Sequence, residues 1–118
     1  MQKSYHKLVK SLFQDRSDYA ENTTVLHNEL HNYTEMYLKQ YRIALYSSID
    51  SELIVYLVED SKCVKNRLNA ILNAVGYSLK TIRREVHIIN PSKGANRIIG
   101  VGQSFMIRNC KVFDEWRN

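Results

Sequence analysis

The segment SKCVKNRLNAILNAVG, Ser61 to Gly76, carries a start signal, an apolar stripe and a stop signal, and the rest of the fold has to be arranged around it. Ser61 can cap the free amides of a first helical turn. Val64, Leu68, Ile71, Leu72 and Val75 then fall on one helical face. Gly76 suits the left-handed position just past a helix end, because it has no Cβ to clash there. The pattern predicts a helix over 62–75 with one buried side.

The residues before it divide in two. From Gln2 to Phe13, Tyr5, Leu8, Val9, Leu12 and Phe13 recur at three- and four-residue spacings, which predicts a short amphipathic helix. Asp15 to Asn22 is polar and turn-like, and Asn22, Thr23 or Thr24 can cap a second helix. In it Leu26, Leu30, Tyr33 and Tyr37 step by four, three and four. That stripe is the candidate surface for self-association as a homodimer. Near Gln40 the period becomes two, and LIVYLV, Leu53 to Val58, is an apolar run rich in β-branched and aromatic residues. A β-hairpin over about 41–58 is expected; the alternative is one long helix through residue 58.

Beyond residue 89, NPSKGAN reads as a loop, and RIIGVGQSFMIR alternates as a strand whose Gly100 and Gly102 thin one face. Paired with VHII it predicts a hairpin over about 86–107. Val112, Phe113 and Trp116 can dock as a final turn. The expected fold is α+β in a single domain, 1–118, with an acidic helical part over 1–40 and a basic α+β part over 41–118.

At 118 residues the chain can bury a core without staples. Cys63 and Cys110 lie far apart without C-x-x-C spacing and read as free thiols. The opening MQKSYHKLVKSLFQDR is too charged for a signal peptide, and no run approaches the roughly eighteen apolar residues of a membrane span. A cytoplasmic location and no membrane partner are expected. Residues 1–60 hold six Lys/Arg against nine Asp/Glu, and residues 61–118 hold eleven against three. The halves are therefore −3 and +8, which together give the net +5. Such a split creates a positive field that attracts polyanions.

Residues 77–89, YSLKTIRREVHII, admit two structures. Leu79, Ile82, Val86 and Ile89 step by three, four and three, a helical period, whereas a glycine-ended helix followed by Tyr-Ser-Leu-Lys-Thr-Ile is also how a strand leaves its helix. With the helix before it, GYSLKTIRREV resembles the turn and recognition helix of winged helix-turn-helix repressors, including the sugar-operon repressor family, over about residues 64–86. It departs from them at Leu72, where that family usually has alanine. The resemblance implies a recognition helix over 79–87, with Lys80, Thr81 and Arg84 facing the major groove and Lys93 and Arg97 on the wing. As a sheet, the same region presents Lys80, Arg83, Arg84 and Arg108. Either way these basic side chains are expected on one exposed region.

Other constellations are weaker. His27 and His31 would be i,i+4 neighbours on a helix, but no third metal ligand follows. Glu85 and His87 share a face only in a strand and have no nucleophile beside them. GVGQS lacks the lysine of a phosphate-binding loop. Tyr77 and Phe105 fit buried aromatics better than base-stacking ones. No catalytic residue, metal or cofactor is assigned. The expected function is nucleic-acid binding, DNA ahead of RNA, by a small transcription regulator of the phage or mobile-element type. The alternative is a non-enzymatic inhibitor or adaptor that docks on a host protein, and the third possibility is a small nuclease.

Overall fold

The computed structural model describes residues 3–117. Helix α1 (Lys3–Phe13) leads into five strands, β1 (Asp18–Ala20), β2 (Thr23–Asn28), β3 (Tyr33–Leu38), β4 (Tyr41–Ser47) and β5 (Glu52–Tyr56). Helix α2 (Lys62–Asn73) follows, then β6 (Ser78–Ile82), β7 (Glu85–Asn90), a 3₁₀ turn (Pro91–Lys93), β8 (Ala95–Ile99), β9 (Ser104–Ile107) and the short helix α3 (Asp114–Arg117). A six-stranded sheet runs β1-β2-β3-β4-β5-β9 and a three-stranded sheet runs β6-β7-β8, antiparallel throughout.

Helix α2 is the segment that its capping signals mark. The Ser61 hydroxyl accepts from the Val64 amide at 3.3 Å. At the other end Gly76 has φ 87°, the Tyr77 amide donates to Leu72 O at 2.9 Å and the Gly76 amide to Asn73 O at 3.3 Å, which closes the last turn. Val64, Leu68, Ile71 and Leu72 are fully buried. They share one core with Leu8 and Leu12 of α1 and with the inward rows of the large sheet, among them Val25, Met36, Ala44 and Val55.

The molecule is predominantly β, not the α+β fold with a helical N-terminal part that the spacings suggest. Leu26, Leu30, Tyr33 and Tyr37 form no helix. The chain turns at Glu29–Asn32, and Leu26, Tyr33 and Tyr37 are the outward residues of β2 and β3. The inward positions are Thr23, Val25, Thr34 and Met36, all buried. Two buried threonines disguise the alternation, and each is satisfied. Thr23 Oγ1 accepts from Arg67 Nε at 2.7 Å and donates to Glu21 O, while Thr34 donates to Asp15 Oδ1 at 2.9 Å. The expected hairpin over 41–58 is present as β4–β5, so the single long helix through residue 58 is absent.

The winged helix-turn-helix resemblance does not hold. Residues 79–87 are two strands, and the turn that separates them is Arg83–Arg84, whose φ values of 50° and 69° reverse the chain. Leu79 and Val86 are buried, whereas Ile82 points away with 41% exposure, so the helical spacing in the sequence corresponds to no common face. The hairpin expected over 86–107 is also divided. β7 pairs with β8, but β9 pairs with β5 in the other sheet. The crossing is the turn Gly100–Gln103, closed by Gln103 N to Gly100 O at 3.0 Å, with Gly102 at φ 87°. A left-handed third residue is what such a turn demands, and that is the role of the glycine pattern.

Candidate nucleic-acid interface

The three-stranded sheet has a buried and an open face, assigned by register. Leu79, Val86, Ile88 and Ile99 are buried on the side of α2. Lys80, His87 and Ile98 are cross-strand partners on the open side, and Ile82 and Glu85 pair beside them. Lys80, Arg83 and Arg84 therefore lie together, one on the open face and two at the tip of the β6–β7 hairpin. All three are exposed.

The other residues named from the sequence go elsewhere. Thr81 faces α2, where its hydroxyl accepts from Lys65 Nζ at 3.1 Å. Arg97 pairs with buried Ile88 on the inner face, its guanidinium 5.7 Å from the Phe105 ring centre. Lys93 ends the 3₁₀ turn at the far end of β7 from the Arg83–Arg84 tip. Arg108 follows β9 in the large sheet, 3.7 Å from Glu52. The seven side chains do not form one patch.

Charge is nevertheless distributed unequally. Residues 76–107 hold five Lys/Arg and a single carboxylate, Glu85. None of the five makes an ion pair among the described residues. On the large sheet and its helices some charges are matched, Arg42 to Glu35 at 2.8 Å, Lys65 to Asp60 at 2.6 Å and Lys7 to Asp18 at 3.6 Å, while Lys10, Arg16, Lys39 and Lys62 make no ion pair among the described residues. What sets the small-sheet segment apart is that its five cations stand against one carboxylate, Glu85.

Two further features go beyond the sequence patterns, although Leu26 and Tyr37 of the first belong to the stripe named for self-association. One is the outward face of the large sheet, where Leu26, Glu35, Leu45, Ile54 and Met106 form a continuous row across five strands. Tyr37 and Arg42 lie beside it, and both bond the Glu35 carboxylate. Their strand periods become legible only once the turn at Glu29–Asn32 is known. The other is a cleft against the end of α2, lined in part by Asn90, Lys93 and Lys111. His27 and His31 do not converge: His27 Nδ1 lies 2.9 Å from Thr34 Oγ1, and His31 stacks on Tyr33. No group of three metal-ligating side chains exists among the described residues, and no described helix is long and apolar enough to cross a membrane. No protein-family model, curated protein or solved structure matches the chain.

Proposed function

We infer that the chain is a nucleic-acid-binding regulatory protein of the cytoplasm, reaching DNA in preference to RNA with a basic β-hairpin instead of a helix. The observation that carries this is the Arg83–Arg84 turn. A two-residue hairpin turn with both residues left-handed is normally Asn-Gly, because a side chain at positive φ costs about 1 kcal/mol or more. Two arginines there oppose folding preference and place two guanidinium groups without an ion pair at the tip of the β6–β7 hairpin. Lys80 adds a further positive charge on the open face, on the other side of the Ile82–Glu85 pair. Only the tip of this hairpin extends beyond β8, and arginine is the side chain that pairs best with phosphate and with guanine.

The test is binding to mixed DNA and RNA across a salt series, with the double variant Arg83→Glu, Arg84→Glu. Binding should weaken steeply with salt, and the variant should flatten the dependence by about 0.9 in log–log slope for each phosphate it no longer neutralises. A folded variant that binds as the wild type does would remove the proposal.

The apolar row on the large sheet favours a second reading, an adaptor or inhibitor that docks on a host protein. Leu26 and Met106 are 48% and 43% exposed, and tyrosine, methionine and arginine are the types enriched at such interfaces. A stoichiometric protein partner that survives nuclease treatment and no longer binds Leu26→Glu would support it over the first.

A further inference from the structure

The cleft against the end of α2 has a volume of about 350 Å³. One wall is the corner after β7, with Asn90, Ser92 and Lys93; the other is the exit from β9, with Asn109 and Lys111; Phe113 stands at the edge. No carboxylate lines it. Lys93 and Lys111 are both exposed and neither makes an ion pair among the described residues.

Asn90 makes this more than a pair of surface lysines. It is 5% exposed, and its Oδ1 accepts from the Lys93 amide at 3.2 Å. That bond fixes which end of the side chain is oxygen. The amide nitrogen takes no protein hydrogen bond and is not a sealed atom, so it keeps accessible surface on a residue that lines the cleft. A largely buried amide free to donate, in a cleft that two unpaired lysines also line, is a site for an anionic oxygen.

The end of α2 would oppose an anion through its carbonyls. Those carbonyls are occupied: Ala74 O accepts from Phe113 N at 2.9 Å, Leu72 O from Tyr77 N and Asn73 O from Gly76 N. Two full positive charges outweigh the residual half-charge of a helix end. The Phe113 ring is half exposed and lies over Gly76, with Cζ at 3.5 Å from where a Cβ would stand. It offers a flat apolar surface beside the cationic groups.

We propose that this cleft binds a phosphate monoester attached to a planar ring, with Lys93, Lys111 and the Asn90 amide on the phosphate and Phe113 against the ring. That chemistry belongs equally to a free nucleotide and to the 5′-phosphorylated end of a nucleic-acid strand. The site does not depend on the Arg83–Arg84 hairpin.

The experiment is a titration of the full chain, followed by amide NMR, with adenosine 5′-monophosphate, adenosine, and one short oligonucleotide with and without a 5′-phosphate. The phosphorylated ligands should shift the amide signals of Ser92, Lys93, Asn109, Lys111 and Phe113 and the side-chain amide of Asn90. Adenosine and the unphosphorylated strand should bind this site at least about tenfold more weakly, the size of one charge-assisted hydrogen bond. Lys93→Gln with Lys111→Gln should do the same while keeping the dispersed wild-type spectrum, and Arg83→Glu with Arg84→Glu should leave mononucleotide binding unchanged. Tighter binding of the phosphorylated strand would identify strand ends as the source, and tighter binding of the mononucleotide a free metabolite. Absence of shifts in the cleft at millimolar ligand, or equal binding of adenosine and its monophosphate, would overturn the proposal. Cleft shifts with the phosphorylated ligands in a chain that shows no salt-dependent binding to DNA or RNA would support the cleft and count against the hairpin.

Discussion

The two sheets differ in charge balance, since the segment that forms the small one holds five cations and a single carboxylate. In the large sheet and its helices several charged groups are engaged internally, Arg42 with Glu35, Lys7 with Asp18, and buried Arg67 clamped to Thr23 Oγ1, Cys63 O and Glu21 O with its guanidinium over the Tyr5 ring, although Lys10, Arg16, Lys39 and Lys62 make no ion pair among the described residues. In the small sheet Lys80, Arg83, Arg84, Lys93 and Arg97 have no counter-ion among the described residues and are all exposed. Charges that stabilise a fold are placed where they can be satisfied from within. Charges left unmatched, two of them on an unfavourable backbone, are available to something outside.

That contrast can be broken by mutation. The largest effect is expected at Arg67. Arg67→Ala removes three hydrogen bonds and the stacking on Tyr5 where the guanidinium is buried, and chemical denaturation should show a loss of about 3 kcal/mol. A loss under about 1 kcal/mol would mean that the clamp is not structural. Nucleic-acid binding by the folded fraction should be unaltered.

A smaller effect is expected at Asp18, which joins β1 to α1. Burial pushes its carboxyl up, but the Tyr19 amide at 2.8 Å, the Ser11 hydroxyl at 3.0 Å and the Lys7 ammonium prevail and hold it below the usual range. A carboxyl depressed in the folded state contributes stability above its unfolded pKa, near 3.9, and that stability is lost as pH falls through the lower folded value. Asp18→Asn should therefore cost about 1 kcal/mol at neutral pH and converge on the wild type at low pH. Parallel stability curves down to the acid limit would contradict the assignment.

The smallest effect is expected at Glu35. Its partner Arg42 is well exposed, so Glu35→Gln should cost about 0.5 kcal/mol or less, and added salt should shrink the difference further. Melting temperatures at two ionic strengths would show it.

Legibility followed the same division between local and distant causes. Helix α2 was readable because its cap, stripe and terminal glycine lie within sixteen consecutive residues, and β4–β5 because alternation and the LIVYLV run are local. β2 and β3 were misread because their inward positions include Thr23 and Thr34. Their burial depends on Arg67, forty-four residues away, and on Asp15. The Arg83–Arg84 turn was hidden because nothing in Arg-Arg signals positive φ. The basic residues themselves were readable as exposed, but their separation onto two faces, two ends and two sheets follows from register. Lys111 and Asn90 carried no pattern, since a cleft between a strand exit and a 3₁₀ corner leaves no periodic trace.

The decisive measurement replaces the turn by the residues that folding would choose. Arg83→Asn with Arg84→Gly should raise stability, by about 1 kcal/mol, because both residues accept left-handed backbone. Measured on the same protein, nucleic-acid binding should weaken, with the salt dependence shallower by up to about 1.8 in log–log slope if both guanidinium groups neutralise phosphates. A variant that is both more stable and equally tight in binding would show that the hairpin tip is not the surface that meets the polyanion.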